Sequence, residues 1–276
     1  MFDFKDWLRT RNRKRVYQRR LKKSCSAHPD GFLFSGRRQV MVQGAYEPFE
    51  ADLVKKILGE VQLFVNIGAN YGYYSCLALS LQTDTIAFEP EATNIKMIRK
   101  HISANNFTNN FTLHPCAVGS RSDELTLHGG GSGGSLLEDN LNGAPKGEKQ
   151  KVSVVTLDDT LTLSSDKTLC LMDIEGFEYE ALKGCKTILS GDNQPYWIIE
   201  VWPRNNMDEP NPNFSQVFSL MSLHGYAYWG IDEHNKTLTA LTADIVKCIQ
   251  LGTAQIAYSN FLFIPRHDDL LLRMGV

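Results

Sequence analysis

Two stretches of this chain carry residue types at spacings that can do chemistry. The first is Asn66-Ile67-Gly68-Ala69-Asn70-Tyr71-Gly72, set between the apolar run Leu63-Phe64-Val65 and an apolar helical stretch. Glycines at such a strand-to-helix turn let the backbone approach a bound nucleotide, at the place where an open α/β sheet holds such ligands. Asn70 is of a type that tolerates left-handed backbone. Glu89 follows 21 residues after Gly68, at the end of the next expected strand, where a carboxylate can accept hydrogen bonds from both ribose hydroxyls. Nicotinamide sites usually carry G-x-G-x-x-G; here the spacing is G-x-N-x-G. The second stretch is Asp173-Ile174-Glu175-Gly176, with Glu200 ending the strand after it. Residues two apart on a strand share a face, so Asp173 and Glu175 are expected to project together into the crevice. A carboxylate there can take a proton from an acceptor; the plainer role is a helix cap.

These residues need strands and helices to hold them. Glu47-Pro48 opens a helix with Phe49, Leu53, Val54, Ile57 and Leu58 on one face, and Gly59 stops it. A buried strand over residues 63–67 leads through the glycine turn into a helix that ends near Leu81. A second strand, Thr85–Phe88, a helix with Ile95, Ile98 and Ile102 inward, and a third strand over Phe111–Val118 follow. Residues 119–150 interrupt the alternation with a short strand near Leu125-Thr126-Leu127 and the glycine-rich segment Gly129–Ser135, a candidate substrate lid. After Val152–Leu157 come a strand at Leu169–Met172, a helix carrying Leu182, Cys185 and Leu189 inward, and a strand at Trp197–Glu200. A helix with Phe214, Val217, Phe218 and Met221 and strands at Tyr226–Ile231 and Ser259–Ile264 close the chain. The expected fold class is α/β, a doubly wound, mostly parallel sheet.

Composition sets bounds on function. With 276 residues, 42% hydrophobic and 22% charged, the chain suits one large globular domain. Its net charge of −2 gives no general affinity for nucleic acid. The charge is uneven: ten Lys and Arg against Asp3 and Asp6 make residues 1–23 about +8. We read residues 1–43 as a basic, helical N-terminal arm and lead-in, and 44–276 as the catalytic domain. The arm is either a solvated segment or a contact for an anionic membrane surface. None of the six cysteines forms a C-x-x-C pair, which favours free thiols in a reducing compartment and a cytoplasmic, or membrane-peripheral, location. A metal held by Asp158, Asp173 and Glu175 lacks a clear ligand spacing, so no metal is expected.

The motifs resemble those of the FkbM-type methyltransferase family. The resemblance rests on Val65–Ser75, Ala87-Phe88-Glu89-Pro90, Cys116-Ala117-Val118-Gly119, Val155–Asp159, Met172–Glu178 and Ile199-Glu200-Val201, in that order, over about residues 44–202. It implies a Rossmann-like class I methyltransferase fold, S-adenosylmethionine as cofactor, and methyl transfer to a hydroxyl of a sugar, glycan or glycolipid. The implied cofactor set is Glu47, Asn66, Gly68, Asn70, Gly72, Tyr73, Glu89, Pro90, Asn94, Cys116 and Ala117. Asn66 and Asn70 would lie by the methionine portion, and Cys116-Ala117 by the adenine. Asn66 departs from the family's usual Asp, keeping a carbonyl acceptor and losing the charge. The catalytic candidates are Asp173, Glu175 and Glu200, with His114 and His128 as other bases and Trp202, Tyr228 and Trp229 as surfaces for a sugar face. Two other readings are an NAD(P)-dependent oxidoreductase and a non-catalytic S-adenosylmethionine-binding module.

Overall fold

Leu63–Ile67 forms β1, a central strand of an eight-stranded sheet. This computed structural model describes residues 15–275, apart from 17, 20, 37–38, 130–132, 138–148, 164–166, 206–208 and 255–257. β1 pairs in parallel with β2 (Asp84–Phe88) on one side and β4 (Thr168–Met172) on the other. β3 (Phe111–His114) lies outside β2, and β5 (Tyr196–Glu200) outside β4, both parallel. Beyond β5 come β8 (Asn260–Pro265), β6 (Tyr226–Asp232) and the edge strand β7 (Thr237–Ala240). The order is β3-β2-β1-β4-β5-β8-β6-β7, with β7 and β8 running against the others.

Strand alternation builds a core on each face. Phe64, Leu169, Leu171 and Ile198 pack against α1 (Pro48–Leu58), α2 (Tyr73–Ser80) and α3 (Ala92–Asn105). Val65, Ile67, Cys170, Met172, Trp197 and Ile199 pack on the opposite face against α4 (Glu178–Lys183), α5 (Phe214–Leu223) and α6 (Ala243–Leu251). Each large apolar side chain buried this way contributes about 1.5–3 kcal/mol. The chain turns onto opposite faces after β1 and after β4, which opens a crevice at the C-terminal ends of these two neighbours.

The expected mostly parallel, doubly wound sheet is present, and several local expectations change. The third strand stops at His114, because Pro115 has no N–H to give the ladder. Ala117–Val118 leaves the main sheet and pairs with Lys149–Val155, which also pairs with Asp123–His128. The helix expected after Gly176 is two short ones, Glu178–Lys183 and Lys186–Ser190, although Leu182, Cys185 and Leu189 all point inward. A Cβ on Gly184, at the break, would run into the carbonyl of Gly119. Gly59 ends α1 in right-handed backbone, so it stops the helix without a left-handed turn.

Residues 15–16, 18–19 and 21–22 of the basic arm are helical, and 1–14 lie outside the described residues. Phe32 and Phe34 of the lead-in are buried against Tyr73 and His101, in the same core as α1. No helix among the described residues is long and apolar enough to cross a membrane. The six cysteines are free thiols.

Candidate active site

The turn after β1 takes its shape from three left-handed residues, Gly68 (φ 84°), Asn70 (φ 51°) and Gly72 (φ 81°). The Gly68 and Ala69 N–H groups both donate to the Phe88 carbonyl at 3.0 Å, tying the turn to the end of β2. Gly68 is needed for a reason other than ligand approach: a Cβ there would strike the Asp173 carbonyl. The turn after β1 and the turn after β4 are therefore packed backbone to backbone. Gly72 caps α2, where a Cβ would come within 3.2 Å of Ile98, and it borders neither cleft described below.

Gly68→Ala is expected to cost about 2 kcal/mol from the left-handed backbone alone. For a domain of this size that is a fall in Tm of about 4–8 °C. It should also lower activity by displacing Asp173, and a melting curve with a rate measurement checks both.

Glu89, at the end of β2, is buried. Its Oε2 accepts the Asn70 N–H at 2.7 Å, and its Oε1 accepts the Glu91 N–H at 2.8 Å and the Asn94 Nδ2 at 3.2 Å. Asn94 is set by the start of α3, where the Glu91 side chain accepts the Asn94 N–H at 2.8 Å as a helix cap. Burial pushes the Glu89 carboxyl up to about 8, against the opposing pull of these donors.

Glu89 lines a cleft of about 600 Å³ together with Pro90, Asn94, Cys116, Ala117 and Glu175. A second cleft of about 550 Å³ is lined by Tyr46, Glu47, Glu50, Asn66, Tyr74 and Glu200. Gly68, Asn70 and Asp173 line both, so the two clefts meet over the paired turns. Tyr73 also borders the second.

The second cleft is acidic, and no Lys, Arg or His among the described residues lines it. The Tyr74 hydroxyl lies 2.9 Å from Glu47 Oε2 and 3.1 Å from Glu50 Oε1. One hydroxyl proton serves only one of these bonds, so the other needs a protonated carboxyl. Burial raises both carboxyls, Glu50 well above its ordinary value. Asp173 and Glu200 are hydrogen-bonded to each other, which likewise requires a shared proton. Burial raises both, and the Asp173 charge raises Glu200 further. Asp173 Oδ1 is enclosed by protein and has no hydrogen-bond partner. Asn66 donates from Nδ2 to the Ser75 hydroxyl at 2.9 Å, which turns its amide towards α2.

The face shared by Asp173 and Glu175 does not form. β4 ends at Met172, and Glu175 sits at φ 56° in the following turn. Glu175 borders only the first cleft and Glu200 only the second, with Asp173 between. The Glu175 carbonyl accepts the Ser135 hydroxyl at 2.7 Å, and Gly134 and Leu136 line the first cleft. The expected lid thus reaches the site at its far end; its residues 130–132 lie outside the described residues. Glu178 braces the turn by accepting the Gly176 N–H at 2.8 Å, and burial pushes its carboxyl up to about 7.

Other expected residues fall elsewhere. Asp158 accepts the N–H groups of Thr187 and Ile188 at 2.9 and 3.1 Å at the start of the Lys186–Ser190 helix, and it lines neither cleft. No group of three metal-ligating side chains occurs among the described residues. His114 stacks on Phe88 and, like His128, borders neither cleft. Tyr228 is buried in the core, whereas Trp202, two residues beyond Glu200, is half exposed. Sequence reasoning passed over Tyr46, Glu50 and Tyr74. Glu50 is three residues after Glu47, close enough in sequence for both carboxyls to reach the Tyr74 hydroxyl.

A model of the FkbM methyltransferase domain matches residues 66–228, more than half of the chain. Among solved structures, the chain is similar to methyltransferase FkbM from Methylobacillus flagellatus KT, at 17% identity and a TM-score of 0.44, over 92% of this chain and 59% of that one. It thus spans about three-fifths of that protein's length. It is also similar to an O-methyltransferase from Bacillus cereus solved with S-adenosylhomocysteine, at 10% identity and a TM-score of 0.43, over 78% of each chain. A third is precorrin-6y C5,15-methyltransferase from Geobacter metallireducens GS-15, at 12% identity and a TM-score of 0.40, over 87% of this chain and 96% of that one. No curated protein matches. The domain match removes the oxidoreductase reading: the chain belongs to the FkbM methyltransferase family.

Proposed function

We propose that the chain methylates a hydroxyl of a carbohydrate or glycan-type acceptor, with Asp173 and Glu200 as a paired base. The observation that carries this reading is the hydrogen-bonded carboxyl pair of Asp173 and Glu200, with Asp173 lining both clefts where they meet. In this reading the first cleft holds adenosine. Glu89 accepts from the ribose, and Cys116 and Ala117 lie along the adenine. Glu47, Asn66 and Asn70 flank the methionine end, and the outer part of the second cleft takes the acceptor. The elongated pair of clefts and the acidic lining fit a cofactor that carries a cationic sulfonium and ammonium.

When bound, the cofactor supplies an electrophilic methyl group on its sulfonium. The chain's own task is to align the acceptor oxygen and take its proton as the new C–O bond forms. Asp173 hydrogen-bonded to a protonated Glu200 holds one negative charge over two carboxyls, and its burial keeps that charge basic. The proton of the acceptor hydroxyl passes to Asp173.

The acidic side chains of the second cleft favour a neutral acceptor over an anionic one. Trp202 offers an exposed aromatic face beyond Glu200, and the Asn211 side chain fixes its backbone by donating to the Trp202 carbonyl at 2.9 Å. Stacking of a sugar on this ring is worth about 0.5–1.5 kcal/mol. Trp202→Ala is therefore expected to raise the acceptor KM about threefold to tenfold with kcat unchanged. The test of the function is transfer of labelled methyl from the donor to a panel of neutral sugars, glycans and glycolipids. Label found only on amines or on phosphorylated sugars would sink the carbohydrate-hydroxyl reading. The anionic membrane surface proposed for the basic arm is tested separately, by sedimentation with vesicles of anionic and of neutral lipid.

A further inference from the structure

We infer that Glu233, outside the span of the family match, is a positioning residue for the methionine end of the cofactor site. The inference rests on the proposed placement of Glu47 beside that end. α1 begins with Pro48, and Glu47 before it occupies left-handed backbone at φ 42°. A residue in the usual N-cap conformation is extended, and its side chain folds back onto the first N–H groups of the helix. Glu47 does neither: it makes no cap bond, and its carboxylate reaches Tyr74 in the second cleft. The donors it leaves open are satisfied from the far end of the chain. Glu233 Oε1 accepts the Glu50 N–H at 2.6 Å, and Glu233 Oε2 accepts the Phe49 N–H at 3.2 Å.

Glu233 is held for this task by the hairpin that carries it. β6 ends at Asp232, β7 begins at Thr237, and these two residues are paired. Asp232 accepts both the N–H and the side-chain Nδ2 of Asn235 at 2.8 Å, which closes the turn. A carboxylate at a helix N-terminus is also favoured by the helix dipole. The cap supplied by Glu233 thus releases Glu47 from capping and turns it into the cleft. Without it, Glu47 at the N-cap position is the residue placed to take the open N–H groups, and capping would withdraw it from the site.

Calorimetry on the full chain with two probes tests this. Adenosine occupies the first cleft only, whereas S-adenosylhomocysteine adds the amino-acid end that Glu47 serves. In Glu233→Ala, S-adenosylhomocysteine affinity is expected to fall about tenfold, the scale of one lost cap. Adenosine affinity should stay within about twofold, well below the 1.4 kcal/mol of a tenfold change. Glu233→Gln keeps one acceptor oxygen and should recover part of the loss; it also carries the comparison if the Ala variant does not fold. Unchanged S-adenosylhomocysteine affinity in Glu233→Ala overturns the inference, as does a parallel loss of both ligands, which marks general loosening. If the wild-type protein binds S-adenosylhomocysteine no more tightly than adenosine, the placement of the methionine end fails first, and this inference with it.

Discussion

Replacing Asp173 by Asn is expected to lower kcat about 10²–10⁴-fold, the contribution of a positioned general base, or about 3–5 kcal/mol of barrier. The substitution keeps size and some hydrogen bonding and removes basicity. S-adenosylhomocysteine affinity should change far less, because Asp173 touches the cofactor cleft at its edge while Glu89 anchors the other end. Glu200→Gln should also slow the reaction. It puts a weaker amide donor in place of the carboxyl that donates to Asp173 and holds the Asp173 carboxyl down, so less of Asp173 is ionised to act as base. The acid limb of the kcat profile should accordingly move to higher pH in Glu200→Gln. Because the two carboxyls share one proton, the double variant is expected to be little worse than Asp173→Asn. Glu175→Gln, on the other side of the junction, is the control that should retain most of kcat. Near-normal kcat at saturating acceptor in Asp173→Asn and Glu200→Gln would show that no carboxylate of this pair takes the proton.

The frame of this site was legible in the sequence because its signals are local. A strand, a turn with two glycines and Asn70, a helix, and an acidic residue ending the next strand lie within a stretch short enough for patterning alone to order them. The structure keeps that order, and Asn70 adopts the left-handed backbone expected of it. The reason for Gly68 was not legible, because the backbone it must clear belongs to Asp173, more than a hundred residues later. Period-two reasoning failed at Glu175, since the strand ends one residue before Asp173 and alternation stops with it. The third strand was overrun at Pro115 for a related reason: apolar content continues past the point where the ladder can.

Contacts between distant segments are where sequence patterning has least to offer. The carboxyl pair of Asp173 and Glu200 comes from the ends of neighbouring strands, and strand-helix alternation does suggest that they meet. The cap that Glu233 gives α1 crosses more than 180 residues. No periodicity or propensity encodes it. It depends on β8 being inserted antiparallel between β5 and β6, which brings the β6–β7 hairpin over the start of α1. Spatial order in a sheet differs from chain order, and only the packed core decides it.

The free protein is expected to lose stability as pH rises from about 5 to 8, and Glu89 gives the clearest reason. Burial raises its carboxyl from 4.5 to about 8. The folded state then holds a proton that the unfolded chain has released throughout this window. The stabilising contribution is therefore fully present below about pH 4.5 and is lost progressively as pH climbs to about 8. By pH 7 one such group has lost about 3 kcal/mol of its contribution. Glu178, Glu47, Glu50, Asp173 and Glu200 are raised as well and push the same way. Cofactor binding should oppose the trend. Ribose hydroxyls donating to an ionised Glu89 favour loss of its proton, so S-adenosylhomocysteine should bind more tightly, and raise Tm more, at about pH 8 than at about pH 6. Glu89→Gln removes both the titration and the charged acceptor. It should flatten the pH dependence of Tm and weaken S-adenosylhomocysteine by about 10- to 100-fold, since hydrogen bonds to a charged group are worth about 1.5–3 kcal/mol. Melting curves and calorimetry across this range decide the matter. Unchanged affinity in Glu89→Gln would remove Glu89 from the ribose site, and a wild-type Tm that rises towards pH 8 would show that this carboxyl is already ionised in the free protein.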